Sequence, residues 1–181
     1  MRLPSRDEAI KLMREAGCSE GVIRHCQSVT RVALRIAERL RKRGYDIDLR
    51  LIEIGGLLHD LGRAKTHGVE HGAVGGQMAR EMGLPEPLAR IIERHVGAGI
   101  SRDEAKRLGL PDRSYIPETL EEKVVAYADK LIAGEREIPF EETLNRFREE
   151  LGEDHPAIGR MKKLQREMMK LLGEAIKERK Q

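Results

Sequence analysis

Apolar residues recur at spacings of three and four positions through most of the chain, and no segment alternates steadily between apolar and polar residues as a half-buried β-strand does. Three S/T-x-x-E motifs mark helix starts independently of this pattern, because the Ser or Thr caps the first turn and the Glu bonds back to the cap. The motifs pair Ser5 with Glu8, Ser101 with Glu104 and Thr119 with Glu122. The chain is therefore predicted to be an all-α helical bundle.

Glycine and proline divide the apolar pattern into separate helices. Pro85 is typical of a helix start, and four glycines are typical of helix C-termini. These glycines are Gly17, Gly44, Gly83 and Gly109. Residues 96–118 are predicted to be mostly loop with one short helix, and we interpret them as a flap over the candidate site. The longer helices are predicted over residues 6–16, 20–43, 49–61, 71–82, 85–95, 121–133, 140–150 and 156–180.

A chain of 181 residues is long enough for one domain with its own hydrophobic core. We predict a domain over residues 1–136 and a C-terminal helical extension over 137–181 that packs on it. Apolar residues form a stripe of the core-packing or coiled-coil type along the last helix. They are Ile158, Met161, Leu164, Met168, Leu171 and Ala175. The stripe could dock onto its own domain, or it could pair with a second copy to form a homodimer.

Composition and charge narrow the class of protein. The 34 basic and 31 acidic residues are interleaved and give a net charge of +3, so nucleic acid is an unlikely partner. The N-terminus lacks the apolar segment of a secretory signal, and no apolar run approaches the roughly 18 residues that a membrane span needs. Cys18 and Cys26 fit neither a CxxC pair nor a disulfide framework, which indicates reduced thiols. We expect a cytoplasmic protein with no membrane partner.

Candidate chemistry centres on residues 52–65, where His59 and Asp60 stand side by side at the end of an apolar run. An imidazole beside an ionised carboxylate is costly to bury unless both have a partner, and a divalent cation is the simplest such partner. Gly55 and Gly56 strip the preceding turn of side chains, which indicates the close approach of another helix or a ligand. Further candidate ligands in chain order are His25, His71, His95 and Asp129.

The order and local context of these residues resemble the HD superfamily of metal-dependent phosphohydrolases. The strings that carry the resemblance are GGLLHDLGR, EHGAVGG, IIERHVGAG and VVAYADKL, and the match covers about residues 20–136. His71 and His95 resemble the two extra histidines that mark binuclear sites in this superfamily, and the pattern is most similar to that of bacterial symmetrical diadenosine tetraphosphatases. The frequent HDIGK or HDIAK of the family reads HDLGR here, so Arg63 stands in place of a phosphate-facing lysine.

The resemblance implies two metal ions that share Asp60 as a bridging ligand. The implied ligand sets are His25, His59, Asp60 and Asp129 for one ion and Asp60, His71 and His95 for the other. Mixed imidazole and carboxylate ligands suit iron, manganese, cobalt, nickel or zinc. Two such ions would lower the pKa of a shared water and hold a phosphoryl group for in-line attack. We therefore expect two divalent transition metal ions as cofactors.

Three more residues are candidates for contact with the substrate. Arg63 follows Asp60 by about one helical turn, and Lys130 follows the last ligand directly, so either could bind a phosphate oxygen; a solvated surface position is the alternative for each. His67 lies four residues before His71, which is a common metal-pair spacing. Gly68 between the two histidines favours a loop position for His67, so we interpret His67 as a substrate contact and His71 as the ligand. We interpret His155 as a residue at a helix start.

The expected function is that of a metal-dependent phosphohydrolase acting on a small-molecule nucleotide or phosphate ester, at a phosphoester or phosphoanhydride bond. Asp60 and Arg63 are the predicted catalytic residues. The same metal site would also serve a cyclic-nucleotide phosphodiesterase or a 5′-nucleotidase. A non-catalytic metal or nucleotide sensor is the alternative from a different class, and the complete ligand set argues against it.

Overall fold

The computed structural model describes residues 2–174, and this part of the chain folds as a bundle of α-helices, as predicted. A 3-10 helix, Leu61–Ala64, separates α3 from α4, and strands β1 (Ile132–Ala133) and β2 (Arg136–Glu137) form a small antiparallel hairpin after α7. The helices are α1 (Arg6–Ala16), α2 (Glu20–Lys42), α3 (Leu49–Leu58), α4 (His71–Glu81), α5 (Glu86–Glu93), α6 (Arg102–Arg107), α7 (Leu120–Asp129), α8 (Phe140–Leu151) and α9 (Pro156–Leu171).

The predicted helix ends that carry a sequence signal are confirmed. All three S/T-x-x-E motifs form complete capping boxes, at the starts of α1, α6 and α7. The glycines predicted to stop helices adopt the left-handed conformation that favours glycine, and they are Gly17, Gly44, Gly83 and Gly109. Local backbone chemistry therefore sets these boundaries.

Three helices end at least three residues earlier than the apolar pattern predicts, and two of these ends lie at the candidate site. Helix α3 ends at Leu58 rather than at residue 61, because the ring of His59 donates a hydrogen bond to the carbonyl of Gly56 and so satisfies a helix-end acceptor. Helix α7 ends at Asp129 rather than at residue 133, where the chain turns into the hairpin. Helix α9 ends at Leu171 rather than at residue 180, and Gly173 just after it adopts the left-handed conformation; residues 175–180 lie outside the described part of the chain.

The core consists of two main apolar clusters, and both contain residues of α2 and α3. One cluster joins α2, α7 and α9, and the other joins α1, α3 and α5. Gly55 and Gly56 let α3 approach its neighbours: a Cβ on Gly56 would lie 2.6 Å from Thr30 Oγ1, and a Cβ on Gly55 would lie 2.8 Å from Ile91 Cγ2. The close helix approach inferred from the glycine pair is present.

The C-terminal extension contributes to the same core as the preceding helices. Ile158, Met161, Leu164 and Met168 are buried against residues of α2 and α7. These four side chains are therefore unavailable for pairing with a second copy, and Ala175 of the same stripe lies outside the described residues. The division of the chain at residue 136 and a homodimer through this helix stay predictions.

Within residues 2–174, none of the helices combines the length and the apolar character that crossing a bilayer requires.

We predict that Gly62→Ala destabilises the fold, because a Cβ on Gly62 would collide with the carbonyl oxygen of His71 and lie 2.7 Å from the backbone nitrogen of Gly75. Backbone atoms cannot rotate aside, so the expected loss in the free energy of unfolding is about 1–3 kcal/mol or more. Urea denaturation of the variant measures it.

The matched control is Gly159→Ala in α9, where a Cβ would meet nothing within 4 Å. Alanine has the higher helix propensity, so this variant should gain up to about 1 kcal/mol. Equal midpoints for the two variants would show that the contact between the 3-10 helix and α4 is not tight.

Candidate metal centre

Six histidine and aspartate side chains from five separate segments converge at one end of the bundle. Each comes from within a turn or two of a helix end: the start of α2, the residues after α3, the start of α4, the residues after α5 and the last residue of α7. They are His25, His59, Asp60, His71, His95 and Asp129, as the sequence predicts. The four members from α3, α4 and α5 are buried, whereas His25 and Asp129 are partly exposed.

The first group consists of His25, His59, Asp129 and one oxygen of Asp60. Asp129 Oδ1 lies 3.0 Å from His25 Nε2 and 3.3 Å from His59 Nε2. Asp60 Oδ2 lies 3.7 Å from His25 Nε2 and 3.6 Å from His59 Nε2. Four potential ligand atoms therefore face one point.

The second group consists of His71, His95 and the other oxygen of Asp60. Asp60 Oδ1 lies 3.3 Å from His71 Nε2 and 3.2 Å from His95 Nε2, and the two Nε2 atoms are 3.0 Å apart. Each oxygen of the same carboxylate thus faces a different pair of histidines. Asp60 therefore lies between the two groups.

Backbone carbonyls fix which nitrogen of each histidine faces the centre. The Nδ1 atoms of His59, His71 and His95 lie 2.7, 2.8 and 2.6 Å from the carbonyl oxygens three residues earlier, and His25 Nδ1 lies 2.6 Å from the carbonyl of Gly134. A carbonyl can only accept a hydrogen bond, so each Nδ1 carries the proton. In the neutral ring, Nε2 then presents a lone pair.

This arrangement brings together atoms that repel one another unless a cation lies between them. The Nε2 atoms of His71 and His95 both act as acceptors at a separation of 3.0 Å, and both face the same carboxylate oxygen. His59 Nε2 is buried and has no hydrogen-bond partner among residues 2–174. The donor set fits divalent transition metals, so both groups are able to hold a metal ion.

The electrostatics of the centre favour ionised carboxylates. Burial raises the pKa of Asp60, but the neighbouring histidines outweigh it and bring the pKa well below its ordinary value. Burial also raises the pKa of Asp129. Lys130 and two histidines have the larger and opposite effect, so this pKa lies well below its ordinary value. Both side chains therefore offer anionic oxygens at neutral pH.

The pKa values of two buried histidines shift in opposite directions. Burial lowers the pKa of His95 to about 4, so its ring is neutral at physiological pH. Burial also opposes protonation of His59, but Cys26 and the two carboxylates outweigh it and raise the pKa of His59 well above the ordinary value. A proton and a metal ion therefore compete for His59 Nε2.

A cavity of about 300 Å³ opens from the centre toward the surface. Val96 and Gly97 belong to its wall, but residues 98–118 do not, so most of the expected flap lies elsewhere and packs around Tyr115. The hairpin and helix α8 complete the wall instead. Their lining residues are Ile132, Ala133, Gly134, Thr143, Arg146, Phe147 and Glu150.

The three predicted substrate contacts have different surroundings. Arg63 lines the cavity, with Nε 3.5 Å from Asp60 Oδ1 and Nη1 donating to the carbonyl of His67. Lys130 is buried, and its ammonium donates to Asp129 Oδ2 at 2.7 Å, to the carbonyl of His95 at 2.8 Å and to that of Ala126 at 3.4 Å. The His67 side chain is exposed and does not line the cavity. Roles of these residues in substrate binding stay predictions.

Sequence reasoning missed the cavity residues of α8, which lie beyond the stretch that resembles the HD superfamily. Thr143, Arg146, Phe147 and Glu150 follow one another at positions i, i+3, i+4 and i+7, so they share one helix face. That spacing was the available signal. Cys26 was also missed as a neighbour of His59 and Asp60, and burial raises the pKa of its thiol.

His155 caps α9 by accepting a hydrogen bond from the backbone nitrogen of Ala157, which agrees with its predicted place at a helix start.

Known proteins resemble this chain in sequence and in fold. An uncharacterized protein of Methanocaldococcus jannaschii is 45% identical over 166 residues, which are 92% of this chain and 98% of that protein. A tRNA (cytidine(56)-2′-O)-methyltransferase of Picrophilus torridus is 36% identical over 171 residues, and this chain spans 94% of its own length but 48% of that protein.

A solved structure shares the fold. The HD domain of the L. monocytogenes phosphodiesterase PgpH, in complex with cyclic-di-AMP, superimposes with a TM-score of 0.54 over 96% of this chain and 99% of that one, at 16% identity. At this identity, the likeness concerns the fold alone. The family model of the HD domain matches residues 22–134, a stretch that contains all six converging side chains. The chain therefore belongs to the HD domain family.

Proposed function

We propose that this chain is a metal-dependent phosphohydrolase that cleaves a nucleotide-type phosphoester or phosphoanhydride at a binuclear metal site. The observation that carries the proposal is the facing pair of acceptor nitrogens on His71 and His95, 3.0 Å apart and directed at the carboxylate oxygen of Asp60 that the other histidines do not share. A single ion at the first group would leave this second group unexplained. Membership of the HD domain family supports the same reading.

Two divalent ions bound there would polarise the phosphoryl group and lower the pKa of an attacking water. In the overall reaction the water oxygen forms a bond to phosphorus, the bond from phosphorus to the leaving oxygen breaks with its electron pair, and the leaving oxygen takes up a proton. Asp60 supplies one oxygen to each group and so sets their spacing. Lys130 holds Asp129 Oδ2, which leaves Asp129 Oδ1 directed at the first group, so we assign Lys130 a positioning role.

Arg63 is the proposed phosphate-binding residue of the cavity. Its guanidinium lies beside Asp60 and is oriented by the His67 carbonyl, and the side chain is about one-third exposed. A guanidinium offers a planar fork of donors that matches two oxygens of a phosphoryl group. As negative charge builds on those oxygens, the hydrogen bonds strengthen and lower the barrier.

The relatives bear on substrate class. The complex of the PgpH HD domain with cyclic-di-AMP supports a nucleotide as ligand. The P. torridus relative is named for methyl transfer to tRNA, but this chain matches only about half of that protein. The cavity of this chain is lined by histidine and carboxylate side chains that could bind metal. We therefore assign hydrolysis to this chain. The proposal includes a cytoplasmic location, consistent with the free cysteines Cys18 and Cys26.

A substrate screen tests the proposed activity. Nucleoside monophosphates, dinucleotides and cyclic nucleotides are offered in turn with manganese, iron, cobalt and nickel, and phosphate or nucleotide release is followed. Hydrolysis of at least one class supports the proposal. The class that is hydrolysed distinguishes a 5′-nucleotidase from a cyclic-nucleotide phosphodiesterase. Full metal loading without hydrolysis of any compound would identify a sensor instead.

We predict two transition metal ions per chain, measured by elemental analysis of protein purified without chelator. His95→Ala should lose one ion, because it removes a ligand of the second group only, whereas Asp60→Ala should lose affinity for both ions and abolish turnover. Chelation should lower Tm, because it leaves the facing lone pairs unshielded. Metal content should fall as the pH is lowered, because protons compete for the histidine nitrogens.

His67→Ala is the control, since its exposed side chain lies outside the cavity, and it should keep both ions. If the wild-type chain binds one ion at saturation and His95→Ala binds the same number, the binuclear site is excluded.

We further predict that Arg63→Ala keeps both ions but lowers kcat/KM by about 100-fold or more, the scale of losing a charge-stabilising donor. Arg63→Lys should recover part of the loss, because it keeps the charge without the fork. Steady-state kinetics and metal analysis on the same preparations provide the measurement. Arg90→Ala, an exposed arginine of α5, is the control; similar kinetics for the two alanine variants would place the phosphate elsewhere.

A further inference from the structure

Helix α8 presents one face to the cavity from outside the part of the chain that the HD family model matches. Thr143, Arg146, Phe147 and Glu150 all lie on this face, and all line the cavity that opens from the metal centre. None of them belongs to the metal-binding groups. The face is therefore placed to contact the part of a substrate that extends away from the reacting phosphoryl group.

Hydrogen bonds fix this face relative to the metal centre. Thr143 Oγ1 donates to the carbonyl of Lys130 at 2.7 Å, and the ammonium of Lys130 in turn donates to Asp129 Oδ2. Thr143 and Lys130 are both buried. The edge of the Phe147 ring also lies beside Gly97, because a Cβ on Gly97 would be 3.6 Å from Phe147 Cε1. The face is held against two ligand-bearing segments.

Arg146 carries a charge that the described residues do not neutralise. Arg136 and Arg148 pair with glutamates, whereas Arg146 has no carboxylate within ion-pair distance among residues 2–174. Its one recorded polar contact there is to Thr143 Oγ1, at 3.5 Å. An exposed guanidinium at the rim of the cavity is available to bind an anionic oxygen.

Phe147 is an aromatic side chain in a chain that has no Trp and two Phe. The other phenylalanine, Phe140, is buried and packs against Tyr127 with 5.4 Å between the ring centroids. Phe147 is partly buried, packs against the main core cluster and also lines the cavity. A nucleobase has two π-faces that stack on such a ring irrespective of its hydrogen-bonding pattern.

We propose that this face of α8 recognises the base-bearing part of a small nucleotide, with Phe147 stacking on the nucleobase and Arg146 binding a phosphate or ribose oxygen. The inference rests on the proposed function and assigns its substrate class: a nucleotide is favoured over a phosphoester that lacks a base. The cavity of about 300 Å³ is at the small end of ligand sites, which favours a mononucleotide unit over a polymer.

The experiment compares 5′-AMP with ribose 5-phosphate, which carries the same sugar phosphate without the base. Binding to the metal-loaded protein is measured by calorimetry, and hydrolysis by phosphate release. Phe147→Ala should weaken AMP binding by about 10-fold to 100-fold, the scale of a lost stacking contact, and should leave ribose 5-phosphate unchanged. Phe147→Tyr should restore AMP binding, whereas Phe147→Leu, which keeps apolar volume without an aromatic face, should not.

Arg146→Ala should weaken the binding of both compounds, because it removes a contact to the sugar phosphate that they share. Arg136→Ala, an exposed arginine outside the cavity, is the matched control for loss of positive charge. Metal content measured on every variant separates recognition from damage to the centre.

The outcomes separate the two proposals. Base-dependent binding without hydrolysis of any phosphoester would refute the enzyme and keep the recognition face. Equal affinity of wild-type protein for the two compounds, or equal losses for both in Phe147→Ala, would overturn the recognition face while the hydrolase stands. Binding confined to oligonucleotides with the same terminal phosphate would overturn the assignment to a small nucleotide and identify an RNA end as ligand.

Discussion

The structure depends on one carboxylate that two sets of imidazoles share. Asp60 is buried, and its oxygens face four histidine nitrogens within 3.7 Å. A positive charge stabilises such an arrangement by balancing the lone pairs, so these clusters are able to hold a metal ion. Three of the four rings are oriented by the carbonyl three residues earlier, at positions where a helix begins or ends. Helix ends leave backbone groups unpaired, and here those groups orient the ligands.

Glycine makes the convergence of these helix ends sterically feasible. Gly56 lies against Thr30 of α2, Gly55 against Ile91 of α5, and Gly62 against the backbone of α4. In each place a methyl group would overlap its neighbour. The helices thus approach one another at backbone distance beside the metal groups, and the histidines reach a common point from different elements.

The sequence was sufficient to predict the structure wherever a local motif determines it. The capping boxes, the left-handed glycines and the six candidate ligands each have a recognisable neighbourhood, and the structure forms or gathers all of them. It was insufficient where a long-range contact decides the outcome. Leu131 and Ile132 continue the apolar pattern of α7, yet the chain leaves the helix at Asp129. Lys130 was predicted to bind phosphate or to be a solvated surface residue, but it is buried and surrounded by acceptors. Phe147 belongs to no motif, and only the packing of α8 places it at the cavity.

The hydrogen bond from Thr143 to the carbonyl of Lys130 joins the two parts of the chain to which we assign metal binding and substrate recognition. The six candidate ligands lie before residue 130, whereas the cavity face of α8 lies after it and belongs to none of the candidate metal groups. Substitutions at that face can therefore accumulate without disturbing the reaction centre, provided that the threonine anchor remains. Under the proposed function, related chains would share one reaction and differ in substrate through changes at a few positions of this helix face.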